Sequence, residues 1–200
     1  MKYNTALMLD GSPTSLFLQK EVINKKKFLI KLIIVSPGNK GKLIRKKYNF
    51  LTTNLKKKKN YLKKFFKENS IDIIFSYYNF KIASYILNNL NIGGINFHPS
   101  YLPYNKGRHS TFWGIYKNTP LGATSHWINN KYDDGDIFFQ KRLYGYDKSH
   151  ANAVYYAQLK ILKDVIKNTV SKGITGVHDA WQDSITVKVL QKLSKQMLKL

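Results

Sequence analysis

The run Phe28 to Val35, FLIKLIIV, constrains the fold more than any other stretch. Apart from Lys31 it is apolar throughout and rich in β-branched residues, so it reads as a strand that needs cover on both faces. Strands of that kind belong to parallel sheets, whose neighbours are joined by crossovers, usually helices. The chain supplies both parts. Strand patterns are expected at Thr5 to Leu9, Tyr48 to Thr52, Ile71 to Ser76, Gly94 to Phe97, Ala123 to Ile128 and Asp136 to Leu143. Helical spacing separates most of them. Leu16, Leu18, Val22 and Ile23 fit one helix face, and Leu55, Leu62, Phe65 and Phe66 fit another among lysines. A third helix is expected from the turn Tyr77 to Phe80 to about Leu90, a fourth from about Ser110 to Lys117. Val154, Ala157, Ile161, Val165 and Ile166 face a fifth, with Gly173 as its stop.

Alternation of strand and helix implies right-handed crossovers and an α/β architecture. The expected fold is a Rossmann-like, mostly parallel, doubly wound sheet of about seven strands with helices on both faces. The length, 200 residues, suits one domain over 1–200. Residues 173–200 are expected to form a helical tail, because Val187, Leu190, Leu193, Met197 and Leu200 repeat at helical spacing. Docking on its own domain is the simpler use of that tail; a partner subunit, as in a homodimer, is the alternative. In sheets of this type ligands bind beyond the carboxyl ends of the strands. Asp10-Gly11-Ser12, Tyr77 to Ile82 and His98 all fall there.

The charge is the other conspicuous property, +23 from 34 Lys and Arg against 11 Asp and Glu. It could attract polyanions. Most of it is lysine in runs such as Lys56 to Lys59, and only three arginines occur, Arg45, Arg108 and Arg142. Directed nucleic-acid contacts favour arginine and stacked aromatics, so lysine-loaded solvated faces explain the excess as well, and nucleic acid is not an expected partner. Absence of cysteine excludes disulfides and thiolate metal sites and is compatible with a cytoplasmic address. Neither a signal peptide nor a membrane span is indicated. Gly38 to Lys42 lacks the spacing and the Ser or Thr of a phosphate loop. Ser12 with Pro13 suits a helix start, and Gly11 beside it would let an anion approach.

Candidate chemistry concentrates between Gly94 and Phe139. Asn96 and His98 are two apart on one strand and share a face, while Phe97 points to packing. An amide and an imidazole side by side can donate to a carbonyl oxygen as it gains charge, or move a proton. Asp133, in the turn Tyr132-Asp133-Asp134-Gly135-Asp136, could return a carboxylate to the imidazole and raise its pKa or relay protons through water. Each residue also has an ordinary structural use: backbone bonding for Asn96, a satisfied core position for His98, a turn for Asp133. The spacing of His98, His109 and His126 matches no usual metal site, and none is expected.

Taken together these pieces resemble a family. Asn96-Phe97-His98-Pro99-Ser100-Tyr101-Leu102-Pro103, Lys106-Gly107, Trp113-Gly114-Ile115, Gly122-Ala123-Thr124-Ser125-His126 and Asp133-Asp134-Gly135-Asp136-Ile137 are similar, in order and spacing, to the folate-dependent formyltransferases. The resemblance is specific over about residues 70 to 145. It implies catalytic roles for Asn96, His98 and Asp133, support from His126, and transfer of formyl from N10-formyltetrahydrofolate to a primary amine without metal. It places the folate at Phe80, Lys81, Ile82 and Ile86 and at residues 129 to 133, including Asn129, Asn130 and Asp133. Acceptor contacts are implied for Tyr104, Lys106 and Trp113, and Gly11 and Ser12 are a candidate phosphate site. Two departures stand out: no proline near Ala83 or Ser84, and Ser125 where an apolar residue is usual. The run from Tyr101 to Gly107 and Trp113 look more like the branch acting on nucleotide-linked amino sugars. The purine-synthesis branch is second, on length and the Gly11-Ser12 turn. The methionyl-tRNA branch carries a further β-barrel, whereas the end of this chain reads as helical. A catalytically idle relative that binds RNA through its lysines is the contrasting class, marked by a steep salt dependence.

Overall fold

Strands and helices follow one another along the chain, as the apolar pattern requires. A computed structural model describes residues 2–37, 43, 48–53, 55–147 and 149–172. In chain order the elements are β1 (Tyr3–Leu9), α1 (Pro13–Ile23), β2 (Phe28–Val35), β3 (Phe50–Thr52), a 3-10 turn (Leu55–Lys58), α2 (Lys59–Glu68), β4 (Ile73–Tyr77), α3 (Ser84–Leu87), β5 (Gly93–His98), α4 (Ser110–Tyr116), β6 (Gly122–Trp127), β7 (Ile137–Arg142) and α5 (Ala151–Lys172). Gly38 to Lys42, together with Gly173 and the expected tail helix over 173–200, lie outside the described residues. Among the described residues no helix is long and apolar enough to cross a membrane.

The sheet has seven strands in the order β3-β2-β1-β4-β5-β6-β7. β3, β2, β1, β4 and β5 run parallel, and β6 and β7 close the far edge antiparallel. The doubly wound, mostly parallel fold expected from the sequence is therefore present. Its direction of winding reverses between β1 and β4, where the Asp10 N–H donates to the Tyr77 carbonyl at 2.8 Å.

Each face of the sheet carries its own apolar layer. One gathers Leu7, Leu9, Ile33, Phe75, Phe97 and residues of α1 and α5. The other gathers Met8, Ile34, Ile74, Ile82 and Ile86 with Leu55, Leu62 and Phe66. Strand alternation decides which residue goes where. Phe75 meets Phe28 edge-on at 5.0 Å between ring centroids and lies over Phe97 at 6.3 Å.

Helix starts follow local chemistry. Ser12 caps α1, its hydroxyl accepting from the Ser15 N–H at 3.3 Å, and Pro13 occupies the first turn. Ser125 on β6 stands on the α5 side, where its hydroxyl pairs with that of Thr169 at 2.7 Å. That pair accounts for a polar residue at a buried position.

One element departs from expectation. The helix expected to run to about Leu90 is confined to the four residues of α3. Asn88, Asn89 and Asn91 follow it, and Asn89 donates from its side chain to the Tyr85 carbonyl at 2.7 Å. Such side chains compete with the helix for its backbone groups. The residues before α3, Tyr78 to Ala83, run as an irregular loop from the carboxyl end of β4.

Removing the ring that joins β2, β4 and β5 should be costly. Phe75→Ala is expected to lower unfolding free energy by about 3–5 kcal/mol, and Ser12→Ala by about 1 kcal/mol, both measurable by urea titration.

Candidate active site

β5 presents Asn96 and His98 on the face opposite Phe97, and β6 brings His126 into register with Asn96. Asp133 arrives from the loop between β6 and β7. Gly135 lets that loop fold back: a Cβ there would lie 1.8 Å from the Trp127 carbonyl oxygen. Asp133 itself adopts a left-handed backbone, φ 45°, which aspartate tolerates better than most residues.

The carboxylate is the hub. Its Oδ2 accepts from the Gly107 N–H at 2.8 Å and lies 3.5 Å from His98 Nε2. Its Oδ1 accepts from Asn96 Nδ2 at 3.3 Å and lies 3.4 Å from His126 Nε2. Asn96 Nδ2 is also 3.3 Å from His126 Nε2, while His126 Nδ1 faces the Trp127 carbonyl at 2.8 Å. A carbonyl only accepts, so His126 carries hydrogen on Nδ1. The Asn105 carbonyl lies 3.3 Å from His98 Nε2, which likewise assigns hydrogen to Nε2 of His98.

Burial and charge pull in opposite directions here. His98 is 7% exposed. Burial pushes its pKa below the ordinary 6.5, and the raising influences of Asp133 and of the Asn105 carbonyl do not overcome it. The expectation that a nearby carboxylate would raise this pKa is thus corrected: desolvation of the imidazolium wins. For Asp133 burial also disfavours charge, yet His126 and His98 beside it and the Gly107 N–H outweigh it and hold the carboxyl at about 2. At neutral pH an ionised carboxylate therefore faces a neutral imidazole.

Beside these groups is a cavity of about 290 Å³. Its wall includes Asn96, His98, His126 and Asp133, the loop before α3 with Phe80, Lys81 and Ile82, and the loop after β6 with Asn129. The two loops meet where Lys81 Nζ sits 5.3 Å from the Tyr132 ring centroid. A space of this size, at the lower end of the roughly 300–1,000 Å³ typical of ligand sites, takes one bicyclic ring system. Phe80, Ile82 and Ile128 offer apolar contact and Asn129 a polar edge.

Residues 21–160 match the family model described as formyl transferase. The chain belongs to the formyl transferase family. Solved structures of similar fold include phosphoribosylglycinamide formyltransferase from Anaplasma phagocytophilum, at 17% identity and TM-score 0.72 over 85% of each chain. A sugar N-formyltransferase from a Shewanella species has 22% identity and TM-score 0.66, over 84% of this chain and 69% of that one. A 4-N formyltransferase from Francisella tularensis has 19% identity and TM-score 0.68, over 84% and 68%. These neighbours share the fold; the family match makes the chain an enzyme of formyl transfer.

The site of this formyl transferase gathers some of the residues expected from sequence and leaves others apart. Asn96, His98, Asp133, Phe80, Lys81, Ile82 and Asn129 share the cavity wall. Ile86 is buried in the core beneath it, 1% exposed, and Asn130 lies outside the wall. Gly11, Ser12, Tyr104, Lys106 and Trp113 also lie outside it. Lys106 pairs with Asp134. Trp113 stands in an exposed aromatic group with Phe112 and Tyr116. Sequence reasoning missed the backbone partners, the Asn105 carbonyl and the Gly107 N–H, which carry no side-chain signature. It also set aside His109, which the structure places on the cavity wall.

Both perturbed groups bind protons less tightly in the folded chain than in the unfolded one. Their contribution to stability is complete above pH 6.5. It is lost as pH falls, first through His98, then from 3.8 towards about 2 through Asp133. In an NMR titration the His98 midpoint is expected below 6.5, and lower still in Asp133→Asn, which removes the raising carboxylate.

Proposed function

We propose that this formyl transferase moves formyl from N10-formyltetrahydrofolate to the primary amine of a nucleotide-linked amino-deoxy sugar. The observation that carries the reaction is the convergence of Asn96, His98 and Asp133 on the wall of one cavity. When bound, the folate supplies an activated formyl carbon.

The protein's part is to donate, hold and relay protons. Asn96 Nδ2 and His98 Nε2 make only long contacts, 3.3 Å each, to partners within the protein. Both are free to exchange those partners for a carbonyl oxygen as it gains charge during attack by the amine. His98, neutral at pH 7, carries hydrogen on Nε2; once that hydrogen passes to the oxygen, the same nitrogen can take up the proton shed by the amine. Asp133 stays ionised and orients His98. Gly107 holds Asp133 in place from the other side.

The turn after β1 supports an acceptor without a phosphate seated at Gly11 and Ser12. Ser12 donates its N–H to Asp10 Oδ1 at 2.9 Å, Ser15 donates its N–H to the Ser12 hydroxyl and its own hydroxyl to Asp10, and Pro13 has no N–H. A carboxylate already fills the position an anion would use at a helix start. Beside it the Tyr77 hydroxyl, its pKa raised by burial and then by Asp10 and Tyr155, stays protonated at neutral pH. Hydroxyls and carboxylates of this kind suit a sugar. Phosphoribosylglycinamide is the second reading, favoured by the matched length of the Anaplasma enzyme, 85% of each chain.

Incubation with N10-formyltetrahydrofolate and a panel of dTDP- and UDP-amino sugars, phosphoribosylglycinamide and methionyl-tRNA, read by mass, decides between them. Formylated sugar is expected; formylated ribonucleotide alone would replace the sugar with the purine acceptor. His98→Ala and Asp133→Ala should each slow transfer at least about a hundredfold if they serve in proton transfer, in a single-turnover assay with the accepted amine. Near-normal rates in both would remove the mechanism.

A further inference from the structure

A second hollow, of about 340 Å³, lies beside the first half of β2 and is lined by Ile23, Phe28, Leu29, Ile30, Lys31 and Tyr48. β3 pairs only with Ile33 to Val35, so among the described residues Phe28 to Leu32 have no strand on their outer side. Leu29 is 38% exposed there. An uncovered apolar edge of this kind is a liability that proteins cover or charge. The rim is basic: Lys25, Lys26 and Lys27 lead into β2, and Lys31 stands on the wall. No acid occurs in the sequence between Glu21 and Glu68, and none of these four lysines forms an ion pair among the described residues. Lys27 Nζ lies 5.3 Å from the Phe28 ring centroid and donates to the Ser171 carbonyl at 3.4 Å. Burial, and then the charge of Lys25, push its pKa below the ordinary value. A carboxylate brought here would relieve both.

Ser171 belongs to the last turn of α5, so the chain leaves α5 at the edge of this hollow. The sequence that follows is apolar and acidic where the hollow is apolar and basic. Val177-His178-Asp179-Ala180-Trp181-Gln182-Asp183 holds the two acids found beyond Asp164, with a tryptophan between them. We infer that this segment turns back over the first half of β2, with Trp181 seated against Phe28, Ile30 and Tyr48 and with Asp179 and Asp183 on the lysine rim. Reach allows it, since the stretch from Lys172 to Trp181 spans up to about 30 Å when extended. An indole has a large apolar area to bury and a face that attracts an ammonium such as that of Lys31. Because the segment is tethered to α5, modest contacts suffice to keep it closed. Neither the folate nor the acceptor enters the inference.

The chain has no cysteine, which allows cross-linking at chosen positions. L29C/S184C, treated with a short bis-maleimide at low protein concentration, should give mainly cross-linked monomer, read by mass after proteolysis. I137C/S184C is the comparison. Ile137 is 45% exposed on β7, and Lys172 Nζ lies 5.7 Å from the ring of Phe139 on the same strand, so an undocked segment would reach it as readily. The first pair should react at least about tenfold faster than the second, the shift expected from burying one large apolar side chain. W181A should remove that preference. D179N/D183N should reduce it about fourfold, a factor of about two for each exposed ion pair. Equal rates in the two pairs, or a preference that either change leaves intact, overturn the inference. Covalent dimers in place of cross-linked monomer overturn it too and assign the hollow to a second copy of the chain.

Discussion

β5 is held by neighbours of opposite sense, parallel β4 on one side and antiparallel β6 on the other, and its register ties packing to chemistry. Ile95 and Phe97 enter the layer under α1 and α5, and the residue that follows each, Asn96 and His98, emerges on the other face. A slip by one residue would bury an imidazole among apolar side chains and expose a phenyl ring. The energy of the core therefore also fixes the position of the polar groups, without a separate device to aim them. The same register sets His126 against Asn96 across the strand pair.

Where the second apolar layer stops, the sheet becomes usable. α2 covers its portion with Leu62 and Phe66, but α3 is four residues long and leaves the neighbouring surface to a loop. That loop, Tyr78 to Ile82, precedes α3 and forms part of the cavity wall. Gly135 does the corresponding work on the other wall, where its missing side chain lets the Asp133 loop close on Trp127.

Much of this was legible in the sequence because it depends on period and on residue type. The run Phe28 to Val35 announced a sheet covered on both faces, and Asn96 and His98 showed their common face by spacing alone. Other features depend on what happens between segments. The length of α3 was hidden because Tyr85, Ile86 and Leu87 fit a longer helix as well as a short one, and the competing asparagine bonds appear only in three dimensions. The sign of the His98 shift was hidden for a related reason. Sequence places a carboxylate nearby, but only the fold shows that the imidazole is 7% exposed, and it is that burial which outweighs the carboxylate. Backbone groups such as the Gly107 N–H have no sequence signature at all.

The pairing of an ionised Asp133 with a neutral His98 also bears on why the loops are built as they are. A buried carboxylate without donors would neutralise itself by taking a proton. Here Gly107, Asn96 and His126 surround it, so its charge survives burial, and because those partners hold it, His98 need not be charged to keep it so. An imidazole left uncharged next to a fixed anion is poised to accept a proton and be stabilised on doing so, the order of events that amine acylation requires. The left-handed backbone at Asp133, φ 45°, costs about 1–3 kcal/mol at most residues. Its persistence here follows from the same contacts, since releasing it would take the carboxylate away from the Gly107 and Asn96 donors.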